Sequence, residues 1–74
     1  MYIVIESYDG EINVDLCANI ESALYKKKDY IESLTDNFNY NELANEEKYF
    51  SAEVNDMIYT VEIRQEPIFN INIL

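Results

Sequence analysis

The chain has no histidine and no tryptophan, and it holds a single glycine, a single proline and a single cysteine in 74 residues. Without histidine, the commonest general acid/base and metal ligand is missing, and every nucleophile–histidine catalytic arrangement is missing with it. The one thiol, Cys17, permits neither an internal disulfide nor a Cys/His zinc framework, which favours a reducing, cytoplasmic compartment. No apolar stretch approaches the ~18 residues of a membrane span. The opening MYIVIESYDG has no basic segment, so no signal peptide is expected.

Positive charge is equally scarce. Five Lys and Arg stand against fifteen Asp and Glu, a formal net charge of −10. The only basic run, Lys26–Lys28, is flanked by Glu21, Asp29 and Glu32. Such a surface repels phosphate backbones and anionic membranes, so direct contact with nucleic acid or lipid is not expected; what it attracts is a basic protein.

What the chain does have is apolar mass suited to strands. Hydrophobic residues make up 49 %, with ten isoleucines and seven tyrosines, too many for a disordered acidic tail. A single acidic domain over residues 1–74 is expected, with a thin core that supplies no more than ~3–5 kcal/mol of net stability. Ile, Asn, Tyr, Glu and Lys abound while Arg is nearly absent, the bias of AT-rich coding DNA, which points to a low-GC bacterial host cell or its phage.

Residues Tyr2–Ala18 read as a β-hairpin around Asp9-Gly10, a two-residue turn that pairs Tyr8 with Glu11, Ser7 with Ile12, Ile5 with Val14 and Ile3 with Leu16. Its apolar face is then Ile3, Ile5, Ile12, Val14 and Leu16. The other face carries Tyr2, Val4, Glu6 and Tyr8 against Glu11, Asn13, Asp15 and Cys17. Asn19 is placed to cap a helix from Ile20 to about Leu34, with Ile20, Ala23, Leu24, Ile31 and Leu34 on one stripe. Lys27 falls inside that stripe and is read as a snorkelling side chain, and Lys28 can pair with Glu32.

Thr35–Glu47 reads as connection, with a short helical turn from about Glu42 capped by Asn41. YFSAEV and MIYTVEIR form a second hairpin around Asn55-Asp56, pairing Val54 with Met57, Ala52 with Tyr59 and Phe50 with Val61. Its other face holds Tyr49, Ser51, Glu53, Ile58, Thr60 and Glu62. Ile68–Leu74 alternates as a last strand with few charges, an edge on which a homodimer can pair. The sum is an α+β domain, β-β-α-β-β-β, an antiparallel sheet of about five strands with one helix on its apolar face.

No catalytic constellation emerges, and an enzyme is not expected. Cys17 has no cationic or histidine neighbour in sequence. Asp9–Asp15 superficially mimics a calcium loop but lacks its ligand spacing and terminal glutamate. Neither a metal site nor a cofactor is expected. The remaining signal is the polar side of the sheet, where Glu6, Glu11, Asp15, Glu53 and Glu62 can imitate the charge density of a phosphate backbone, and Tyr2, Tyr8 and Tyr49 supply rigid contacts. These eight residues are the expected partner-binding set.

In size, acidity, absence of catalytic groups and sheet-plus-helix layout, the chain resembles the small acidic inhibitors carried by phages and mobile elements, including anti-CRISPR proteins of the nucleic-acid-mimic type. The resemblance implies stoichiometric binding to a basic groove of a bacterial nuclease complex or other nucleic-acid-binding protein. An immunity protein for a basic nuclease toxin and a small structural homodimer module are the alternatives.

Overall fold

The computed structural model describes residues 1–65. The expected strand Ile68–Leu74, with its homodimer contact, lies outside the described residues. The elements in chain order are β1 (Tyr2–Tyr8), β2 (Glu11–Cys17), α1 (Ile20–Asn37), β3 (Asn41–Glu46), β4 (Tyr49–Val54) and β5 (Met57–Gln65). All pairings are antiparallel, in one sheet of order β2-β1-β5-β4-β3 with α1 packed on one side.

Both expected hairpins form in the expected register, Tyr8 opposite Glu11 and Val54 opposite Met57. Their turns need left-handed backbone: φ is 48° at Asp9, 79° at Gly10, 51° at Asn55 and 67° at Asp56. Glycine meets that demand at no steric cost and Asn or Asp at a modest one, and two successive left-handed residues match the twist of the flanking strands.

The helix begins where Asn19 holds extended backbone and its Oδ1 accepts from the Ser22 N–H at 2.8 Å. Glu21 in the first turn suits the positive end of the helix dipole. At the other end the Phe38 N–H donates to the Leu34 carbonyl at 2.9 Å, one turn beyond the end expected from the apolar stripe. Ala23 and Leu34 are buried on the sheet, with Ile20, Leu24, Tyr30 and Ile31 half-buried beside them. Lys27 runs out along this flank and its Nζ donates to Asn45 Oδ1 at 3.4 Å. Lys28 meets Glu32 at 3.8 Å.

Two expectations are corrected. Asn41–Glu46 is a strand, not a connection with a helical turn from Glu42. Its residues have little strand propensity; pairing with β4, from Glu46 opposite Tyr49 to Asn41 opposite Glu53, holds it extended. The third strand of the β-β-α-β-β-β order is therefore this segment, ahead of Tyr49–Val54.

The second correction concerns which side of the first hairpin lies under the helix. Val4 stands opposite Ile63 and Glu6 opposite Val61, so the set Tyr2, Val4, Glu6 and Tyr8 shares a side with Phe50, Ala52, Val54, Tyr59 and Val61, and that is the helix side. The more apolar face of the hairpin points away from α1, leaving Ile12, Val14 and Leu16 at 71 %, 56 % and 63 % exposure. The core lies instead under the middle of the sheet, where Val4, Phe50, Ala52 and Val61 are completely buried.

Candidate partner-binding site

The eight residues expected to share one surface are divided by the sheet. Tyr2, Glu6, Tyr8, Glu11 and Asp15 lie on the helix side, whereas Tyr49, Glu53 and Glu62 lie on the opposite side, bare of any described helix. A single flat array of carboxylates is therefore not formed. The cause is the pairing of β1 with β5, which sets Ile5, not Glu6, opposite Glu62.

On the helix side, Tyr2 is half-buried against the core. Asp15 lies 3.6 Å from Lys26 of α1 and also accepts from Asn13 Nδ2 at 3.3 Å. Both partners of that ion pair are well hydrated, so it contributes little to stability. Glu11 is exposed beside the Asp9-Gly10 turn.

Glu6 and Tyr8 are brought together with residues the sequence did not single out. They form one wall of a cleft of about 270 Å³ between the sheet and the second half of α1. Tyr59 of β5 forms its floor, and Asp29, Tyr30, Ser33 and Phe38 line the helix side. Spacing explains the helical wall, since residues 29, 30 and 33 are three and four apart and share a flank. Phe38 follows the last helical turn and packs edge-on against Tyr59, with ring centroids 6.0 Å apart and planes at 63°. The phenylalanine in the otherwise polar run TDNFN is the sequence signal for it.

The electrostatics of the cleft are one-signed. Among the described residues, neither Glu6 nor Asp29 has a cationic group within ion-pairing distance; Glu6 accepts only from Asn13 Nδ2, at 3.1 Å. The Tyr30 hydroxyl donates to the Ser7 carbonyl at 2.8 Å. Burial first, and then the negative field of Glu6, hold that hydroxyl protonated far above its ordinary range. Two carboxylates among the rings of Tyr8, Tyr30, Phe38 and Tyr59 favour an organic cation, because carboxylates attract it directly and ring faces attract it through their quadrupoles.

The bare side has two halves. Over β1 and β2 it is aliphatic, with Ile3, Ile5, Ile12, Val14 and Leu16; over β5, β4 and β3 it carries Glu62, Tyr49, Glu53 and Glu46. Glu62 forms an ion pair with Arg64, its Oε2 3.3 Å from Nε. Cys17 is buried. Among the described residues no group of three or more Cys, Asp or Glu side chains is arranged to hold a metal ion, and no helix is long and apolar enough to cross a membrane. No protein-family model, curated protein or solved structure matches this chain.

Proposed function

We propose that this chain is a non-enzymatic acidic binding protein that inhibits a basic nucleic-acid-binding protein or nuclease complex of a bacterium by occupying its cationic surface. The observation that carries this reading is the cleft in which Glu6 and Asp29, without cationic partners among the described residues, stand among four aromatic rings. An arginine or lysine that normally meets phosphate fits such a cleft. Contact through an inserted cationic side chain replaces the idea of a flat phosphate-like array, since the carboxylates occupy both sides of the sheet. The net charge of −10 adds long-range attraction and speeds encounter with a basic partner.

The test compares partner capture from a low-GC bacterial lysate by the natural chain, by the pair Glu6→Gln with Asp29→Asn, and by the charge-matched pair Glu46→Gln with Glu53→Gln. The captured protein is then identified and titrated against purified chain. The reading expects a basic nucleic-acid-binding protein, displaced by competing nucleic acid and by rising salt. It also expects the cleft pair to weaken binding tenfold or more, about 1.4 kcal/mol, and the control pair to change it far less. Equal losses from both pairs, or a partner indifferent to nucleic acid, overturn it.

A further inference from the structure

We propose that β2 is a strand-addition edge, and that it accepts an extended segment of the cationic partner in which basic and apolar residues alternate. This rests on the reading of the chain as a binder of a cationic protein, and it names a second contact and the pattern of the segment that makes it.

The two edges of the sheet formed by the described residues are built differently. At one edge, β3 is six residues long, its register with β4 shifts between Glu42 and Ala44, and it carries Glu42 and Glu46. A short strand with a break in register of this kind discourages another strand from pairing. At the other edge, β2 keeps unbroken register with β1 over all seven residues, from Tyr2 opposite Cys17 to Tyr8 opposite Glu11. It has no bulge, no proline and no lysine. Alternation along an antiparallel ladder turns every second N–H and C=O of such an edge outward, and these are the groups an added strand engages.

The side chains of β2 specify what that strand carries. Ile12, Val14 and Leu16 form an exposed aliphatic row on the bare side, whereas Glu11 and Asp15, with Asn13 between them, form a polar row of net negative charge on the helix side, where Lys26 lies 3.6 Å from Asp15. Because strand side chains alternate between faces, a segment alternating apolar and basic residues matches both rows at once. A second copy of this chain matches the aliphatic row only. It also brings −10 against −10, which opposes association. Charge complementarity thus selects a cationic strand over self-pairing.

The probe is a capped seven-residue peptide alternating lysine with valine and isoleucine, titrated into the full chain and followed by amide hydrogen exchange and amide chemical shifts. Two control peptides accompany it. One has the same composition with residues permuted so that both types fall on each face, and the other carries N-methyl groups on alternate amides.

The alternating peptide is expected to slow exchange at every second amide of Glu11–Cys17 by tenfold or more, to leave β3 amides unchanged and to dissociate as salt rises. Both control peptides are expected to bind at least tenfold more weakly. Leu16→Lys, at an exposed position that leaves the core intact, is expected to weaken the alternating peptide by a similar factor. Equal binding by the N-methylated peptide, or protection confined to β3, overturns the proposal. So does a β2 edge already protected in the free protein, because residues 66–74 or a second copy then fill it. Loss of β2 protection while capped arginine amide still shifts the signals of Glu6 and Asp29 overturns this inference and leaves the cleft reading standing.

Discussion

Ile5 of β1 lies directly opposite Glu62 of β5, and both point to the side of the sheet that α1 leaves bare. One residue along, Glu6 faces Val61 on the covered side. At the centre of the sheet the aliphatic rhythm of the first hairpin is thus out of step with that of the second. The consequence is an exposed aliphatic strip over β1 and β2, and a carboxylate beside the core at the mouth of an aromatic cleft.

Substitutions on the two sides of the first hairpin report this arrangement. Val4→Thr places a hydroxyl in a fully buried site and is expected to cost about 1–3 kcal/mol. Val14→Thr, on the exposed strip, is expected to change stability by about 0.5 kcal/mol or less. Urea unfolding monitored by far-UV circular dichroism measures both; the reverse order contradicts the described register.

The start of α1 depends on one side chain. Asn19→Ala removes the acceptor of the Ser22 N–H and is expected to destabilise the protein by about 1 kcal/mol, while Asn19→Ser retains a capping oxygen and most of that stability. The midpoints of urea unfolding for the two variants provide the comparison.

Tyr30 makes stability sensitive to alkali. Its hydroxyl is raised in the folded protein by burial, then by Glu6, Tyr59 and Tyr8, whereas in the unfolded chain it ionises near the ordinary value of about 10. Above that pH the unfolded state sheds a proton the native state keeps, so this contribution is complete below about pH 10 and falls as pH rises towards the folded-state value. Tyr30→Phe is expected to cost about 0.5–1.5 kcal/mol at neutral pH through the lost bond to Ser7. It should also flatten the decline between about pH 9.5 and 11. Parallel declines for the two proteins in urea titrations across that range contradict the assignment.

The second hairpin turn offers a gain. Asp56 sits at φ 67°, where a side chain is strained, so Asp56→Gly is expected to stabilise the protein by about 0.5–1 kcal/mol and to remove one unit of a repulsive net charge. Thermal and urea unfolding should both move upward. A loss of stability instead indicates that the Asp56 side chain anchors the turn.

Much of this architecture is legible locally. Asp9-Gly10 and Asn55-Asp56 announce two-residue turns, and the alternating flanks then set every pair within each hairpin. Asn19 and the stripe from Ile20 to Leu34 announce the helix. Asn41–Glu46 is not legible, because its extended form comes from pairing with β4 and not from its own residues. For the site, Glu6 and Tyr8 were visible as an acidic and an aromatic residue on one strand face. Asp29, Tyr30 and Phe38 join them only because α1 packs on β1 and β5.

The sequence by itself determined the two hairpins, their internal registers, the capped helix and the excess of negative charge, since each follows from turn chemistry, periodicity or composition within a short stretch of chain. Only the tertiary structure decided which hairpin face is covered. In a two-residue hairpin, chirality ties the residues flanking the loop to a fixed face for a given strand direction. The order β2-β1-β5-β4 sets both hairpins in the same orientation, so their loop-flanking sets must share a side. That set is apolar in the second hairpin, with Val54, Ala52 and Phe50, and largely polar in the first, with Tyr8, Glu6 and Glu11. Covering one apolar face with α1 therefore leaves the other bare, a result fixed by strand order and not by either hairpin alone.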